Sequence, residues 1–175
     1  GCAMSNKTDA ADEADDVRAA LDARREALAQ QLTTLGEVFS TETALFHQAA
    51  AATYGLGITD MKTLSALLQE GPMSAGQLAT RLSLTTGAVT SVIDRLERQD
   101  LVRRSPDARD RRKVIVTANQ AKLAAGENVY ESIGAAFRAL FDTYTVEQLE
   151  FLAQFYRAAI ELNQQETAKL SAHGE

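Results

Sequence analysis

The sequence predicts a mainly α-helical fold carrying one small β-hairpin, and three observations support this. The 175 residues are 45% hydrophobic, enough for one well-formed core; Ala, Leu, Gln, Glu and Arg, which lose little rotamer freedom in a helix, are abundant, and only Pro72 and Pro106 interrupt them. Helix-start signatures recur, with Ser74 and Gln77, and again Thr145 and Gln148, spaced for a capping box. Two β-prone runs, residues 101–104 and 112–117, flank Ser-Pro-Asp-Ala-Arg-Asp, the turn chemistry of a hairpin.

Residues 1–10 are expected as a flexible tail. From there to Leu35, the heptad-spaced Leu21, Leu28 and Leu35, with Val17 and Leu32 beside them, predict an amphipathic helix whose apolar stripe needs a partner. A second, alanine-rich helix over residues 37–54 carries Val38, Phe39, Leu45, Phe46 and Ala49 and ends at Gly55 and Gly57. Thr59 is placed to cap a helix through Leu68, which Gly71-Pro72 breaks. The Ser74/Gln77 box, stapled by Met73 and Leu78, opens a short helix to Leu82. After Ser83-Leu84-Thr85 a longer helix spans residues 86–99, and two helices joined by so brief a turn make a helix-turn-helix candidate. Beyond the hairpin, Asn119 is placed to cap a helix striped by Leu123, Val129, Tyr130, Ile133, Phe137, Leu140 and Phe141. The Thr145/Gln148 box, with Tyr144 and Leu149 as its staple, opens the final helix through Leu152, Phe155, Tyr156 and Ile160.

The net charge of -6 argues against a surface that binds nucleic acid nonspecifically, but the distribution is uneven. Residues 94–113 hold eight bases against five acids, a local net of +3 within an acidic chain. The single cysteine, Cys2, excludes an intramolecular disulfide and offers no zinc-site spacing; a cytoplasmic location is expected. No apolar run reaches the ~20 residues of a membrane span, and the acidic start lacks the order of a signal peptide. With two histidines, no glycine-rich phosphate loop and no nucleophile triad or metal cluster, neither an enzyme nor a cofactor is expected.

On a helical wheel, Ala88, Val89, Val92, Ile93 and Leu96 form one stripe of the helix over residues 86–99, the face that packs on the body. Opposite lie Gly87, Thr90, Ser91, Asp94 and Arg98, with Thr86 and Arg95 on the flanks. Small hydroxylated residues near a helix N-terminus suit an approach to base edges in the major groove, although the same composition also describes an ordinary solvent face. The hairpin tipped with Arg109, Arg111 and Arg112 directly after the helix-turn-helix makes it a winged helix-turn-helix, whose arginines can enter a minor groove or hold phosphates.

Through ITDMKTLSALL, MSAGQLATRLSLTTGAVTSVIDRLERQDLVRR and DRRKVIV, the chain resembles the MarR family of transcription regulators over most of its length. The resemblance implies a homodimeric, non-enzymatic regulator that binds double-stranded DNA and acts as a repressor, with N- and C-terminal dimerisation helices (residues 11–58 and 119–175) around a DNA-binding domain (residues 59–118). Its contacts would come from Thr85, Thr86, Gly87, Thr90, Ser91, Arg95, Arg98, Arg109, Arg111 and Arg112. The family's Asp-x-Arg wing signature matches Asp110-Arg111-Arg112, giving Asp110 a wing-bracing role, with Asp107-Ala-Arg109 as a second register. Asp100 stands where the family usually has Gly, and Asp tolerates left-handed backbone better than most residues. Many relatives release DNA on binding a small aromatic or phenolic anion; His47, Tyr54, Met61 and Lys62 are the residues placed to border such a crevice, the other reading being satisfied core or interface side chains. A winged-helix module that docks an acidic protein partner is the alternative function, kept open by the net charge.

Overall fold

The computed structural model describes residues 5–125 and 129–173, and the chain divides at Asn119 into two units. The first contains α1 (Ser5–Thr53), α2 (Ile58–Glu70), β1 (Met73–Ser74), α3 (Ala75–Leu82), α4 (Thr86–Arg98), β2 (Val102–Pro106) and β3 (Val114–Ala118). The second contains α5 (Gln120–Ala125), α6 (Val129–Phe141) and α7 (Val146–Ala172). The mainly α fold with a small hairpin is therefore present, and among the described residues no helix is long and apolar enough to cross a membrane.

The two helices expected over residues 11–54 are one. Gly36 sits inside α1, and residues 5–10, expected as a tail, belong to the same helix. An interior glycine costs about 1 kcal/mol relative to alanine, too little to break a helix whose neighbours on both sides are good formers. Most of α1 is exposed, including Val17, Leu21, Leu28, Leu32 and Leu35; only its end is buried, through Ala50 and Ala51.

Three helix ends in this unit share one backbone device. After α1, Gly55 adopts φ +66°, its N–H donates to the Ala52 carbonyl at 3.0 Å, and the Leu56 N–H donates to Ala51 at 2.9 Å. After α3, Ser83 takes φ 54°, with its N–H on Thr80 and that of Leu84 on Ala79. After α4, Asp100 takes φ 59°, with its N–H on Glu97 and that of Leu101 on Leu96. Each is a Schellman closure that satisfies the orphaned carbonyls of the last turn. The left-handed geometry expected at Asp100 is thus present.

The capping box between Ser74 and Gln77 forms as expected, at 2.9 and 3.1 Å. Thr59, however, is not the cap of α2. That helix begins two residues earlier, at Ile58 behind Gly57, whose N–H donates to the Asp60 carboxylate at 3.2 Å. Gly57 has no side chain to accept an N–H of the first turn, and the acid at the third helical position makes the reciprocal half of a capping box and complements the helix dipole.

The core of this unit joins Leu64 and Leu67 of α2, Leu78 of α3, and Val89, Val92, Ile93 and Leu96 of α4 with Leu101, Val102 and Val116. The antiparallel sheet runs β1-β3-β2, with Met73 opposite Val116 and the hairpin paired from Val102–Ala118 to Pro106–Val114. β1 is not anticipated by the sequence, being two residues long. Pro106 is accommodated because β2 is an edge strand.

In the second unit, the one helix expected from Asn119 to Asp142 is described as α5 and α6, and residues 126–128 between them lie outside the described residues. The Thr145/Gln148 capping box opens α7 at 2.9 and 3.2 Å. Phe137, Leu140, Phe141, Phe151, Phe155, Tyr156 and Ile160 are all exposed within this unit.

Candidate nucleic-acid interface

The two faces of α4 fall where the wheel puts them. Val89, Val92, Ile93 and Leu96 are buried, whereas Thr86, Gly87, Thr90 and Ser91 are exposed on the opposite side near the N-terminus. Thr85 is the N-cap: its hydroxyl oxygen accepts the Ala88 N–H at 3.2 Å, which sets the angle at which α4 begins. A Cβ added at Gly87 would meet nothing within 4 Å, so the backbone there is open to close approach by a ligand. The Thr90 hydroxyl donates to the Thr86 carbonyl at 2.9 Å, which commits its proton and leaves its oxygen to act as an acceptor.

Charges on the second half of α4 are sorted by two ion-pair systems. Arg104 of β2 bonds Glu97 at 2.7 Å and also bonds Asp94, so both acids of this helix are held by one strand arginine. Donating hydrogen bonds to Asp94 and then to Glu97 raises the Arg104 pKa above its ordinary value. Arg95 turns to α2, where Nη2 lies 2.8 Å from the Asp60 carboxylate and Nε 3.2 Å from each of its oxygens. Its pKa is likewise raised, mainly by that hydrogen bond. Arg98 folds back to donate to the Asp94 carbonyl at 3.3 Å. The hydroxyl-rich first half of α4 holds no acid, and the two acids of its second half are both paired with Arg104.

The wing tip spans residues 107–113. Its neck is closed by the Asp107 N–H donating to the Lys113 carbonyl at 2.9 Å. Within it, both Asp-x-Arg registers form the same local turn: the Asp107 carboxylate accepts the Arg109 N–H at 3.2 Å, and the Asp110 carboxylate accepts that of Arg112 at 3.1 Å. The returning strand begins at Val114, later than the 112–117 run suggests, because the Lys113 N–H bonds the Asp110 carbonyl at 3.0 Å and keeps residues 110–113 in a turn. Arg111 and Arg112 therefore sit at the tip with Arg109, all three exposed.

Asp60 and Arg104 were not among the sequence candidates. Asp60 is legible as a helix-start acid three residues after Gly57, but its partner lies 35 residues onward. Behind the wing, the Asn119 side-chain amide donates to the Asp100 carbonyl at 2.9 Å and its N–H to Leu101 at 2.8 Å, fastening the end of α4 to the end of β3.

Of the four residues expected to border a ligand crevice, His47 lies on α1, Tyr54 follows its last residue, and Met61 and Lys62 lie in the first half of α2. His47 is exposed, with its ring edge-on to Phe46 at 5.8 Å; Tyr54 and Met61 are half-buried and Lys62 is exposed. An open depression of about 430 Å³ lies elsewhere, in the second unit, lined by Tyr144, Thr145, Glu147, Gln148, Phe151 and Leu152.

The MarR family model matches residues 56–114, the stretch from α2 through the wing tip. Over 146 residues the chain is 35% identical to the uncharacterized HTH-type transcriptional regulator YcgE of Bacillus subtilis (strain 168), spanning 83% of this chain and 95% of that protein. Over 90 residues it is 33% identical to the HTH-type transcriptional repressor NicR of Pseudomonas putida, spanning 51% of this chain and 56% of NicR. Among solved structures, a MarR family protein from Bacillus stearothermophilus shares the fold at TM-score 0.59 and 22% identity, covering 81% of this chain and 97% of that one. The transcriptional regulator PA4135 aligns at TM-score 0.53 and 25% identity over 75% of this chain and 95% of that one.

Proposed function

The chain belongs to the MarR family of DNA-binding transcription regulators, and from that premise we propose that it is a repressor that binds a palindromic operator as a homodimer and responds to a small ligand. The observation that carries the DNA-reading part is the division of α4: an exposed Thr86, Gly87, Thr90 and Ser91 face directly opposite four buried aliphatic residues, followed in the chain by a wing with three exposed arginines. In this reading Thr86, Thr90 and Ser91, with the Thr85 cap and Gly87 backbone, meet base edges in the major groove. Arg95, Arg98, Arg109, Arg111 and Arg112 meet phosphates or the minor groove, and Asp110 braces the wing.

Repression is supported by the likeness to NicR, named as a repressor. A homodimer is supported by the exposed apolar residues of α1, α6 and α7, more than a monomer ordinarily leaves in water, and by the gain in specificity from two half-sites ~34 Å apart. The terminal helices, residues 11–58 and 119–175, would then serve dimerisation, and residues 59–118 DNA binding. A small aromatic or phenolic effector would bind beside His47, Tyr54, Met61 and Lys62. The relatives are named as transcriptional regulators, which favours a regulator over a protein-docking module, and a non-catalytic role in the cytoplasm accords with this reading.

Selection from a random duplex library tests the reading, followed by a gel shift on the enriched sequence with a scrambled competitor. The expected product is a two-fold symmetric motif with half-sites about one helical turn apart. A library that stays unenriched contradicts it.

A further inference from the structure

Asp60 is the one charged residue that is buried among the described residues, with its side chain 5% exposed. A buried carboxylate is costly unless it is paired and hydrogen-bonded. This one accepts the Gly57 N–H and the Arg95 guanidinium, so a single group ties the start of α2 to the second half of α4. Arg95 follows Ser91 by four residues, one turn further along the same side of the helix and about 6 Å away along its axis. Its side chain remains 46% exposed. The edge made by Nε and Nη2 faces Asp60, which leaves the Nη1 donors for another acceptor.

We propose that Asp60 is a positioning residue for DNA binding: it grips one edge of Arg95 so that the other edge is held ready for a DNA phosphate beside the bases met by Thr90 and Ser91. This rests on the DNA-reading role proposed above. A planar guanidinium can serve two acceptors at once, which an ammonium group on a flexible stem does less well. An arginine already fixed in place loses less side-chain entropy when it binds. The sign of the effect is informative, because Coulomb's law alone makes an acid near a phosphate repulsive. Neutralising Asp60 should then strengthen DNA binding, whereas loss of positioning should weaken it.

The test uses the full chain and a duplex enriched by the wild-type protein, with affinity measured across a salt series and folding followed by circular dichroism. Asp60→Asn is expected to bind about tenfold more weakly, the scale of one charge-assisted hydrogen bond. Arg95→Ala is expected to flatten the salt dependence by about 0.9 in log–log slope per protomer. Adding Asp60→Asn to Arg95→Ala should then cost no further affinity. Arg95→Lys, which keeps the charge and loses the fork, is expected to bind more weakly than wild type and carries the test should Asp60→Asn not fold.

Several results would overturn the proposal: Asp60→Asn binding as tightly as wild type or tighter, an unchanged salt slope in Arg95→Ala, or an equal loss from Asp60→Asn with and without Arg95. Any of these, found with a duplex that the wild type does enrich, removes the positioning role and leaves the regulator standing. Failure of the wild type to enrich any duplex removes both.

Discussion

Asp100 holds a left-handed conformation with a side chain that gains nothing visible in exchange beyond a 4.0 Å contact to Arg103. Aspartate visits this region more readily than most residues, but glycine enters it without the Cβ cost. Asp100→Gly should therefore stabilise the protein by about 1 kcal/mol, read as a higher thermal midpoint. At the interface, residues that meet bases and those that meet phosphate should separate. Arg112→Ala is expected to weaken binding to most sequences and flatten its salt dependence, while Thr90→Ala mainly changes sequence preference. Competition titrations with the enriched operator and its single-base variants check both, and equal losses on every sequence in both variants would contradict the assignment.

At the scale of the element, local chemistry explains most of what forms. The Ser74/Gln77 box starts α3 and the four buried aliphatic residues of α4 hold it against the core. Ser74→Ala should cost about 1 kcal/mol, and Leu96→Ala, which empties a fully buried site, about 2–5 kcal/mol by denaturant titration. These elements were legible because a cap and its partner are three residues apart and a helical face repeats within one window. Other features were not. Gly36 looked like a boundary, yet a single glycine's cost is small beside the propensity of a 49-residue helix. β1 exists because Met73 and Ser74 meet Val116 and Ile115 from across the unit, a pairing with no local signature. The wing's returning strand starts at Val114 because two aspartate turns and a backbone bond occupy the residues before it.

For the whole molecule, the exposed apolar residues of α1 and α7 set the expectation for solution behaviour. Sedimentation should show a dimer at micromolar concentration, and the thermal midpoint should rise with protein concentration, because association stabilises the folded form by mass action. A monomer with a concentration-independent midpoint would contradict the dimer.

The sequence by itself determined the mainly helical class, the helix-turn-helix and hairpin in their order, the outward face of α4 and the family. Each of these depends on residues close together in the chain or on motifs read directly along it. Only the tertiary structure decided that Asp60 grips Arg95, that Arg104 neutralises Asp94 and Glu97, and that a third strand completes the sheet. Those contacts join residues 7 to 43 positions apart, and their geometry exists only once the buried faces of α2, α3, α4 and the hairpin have packed together.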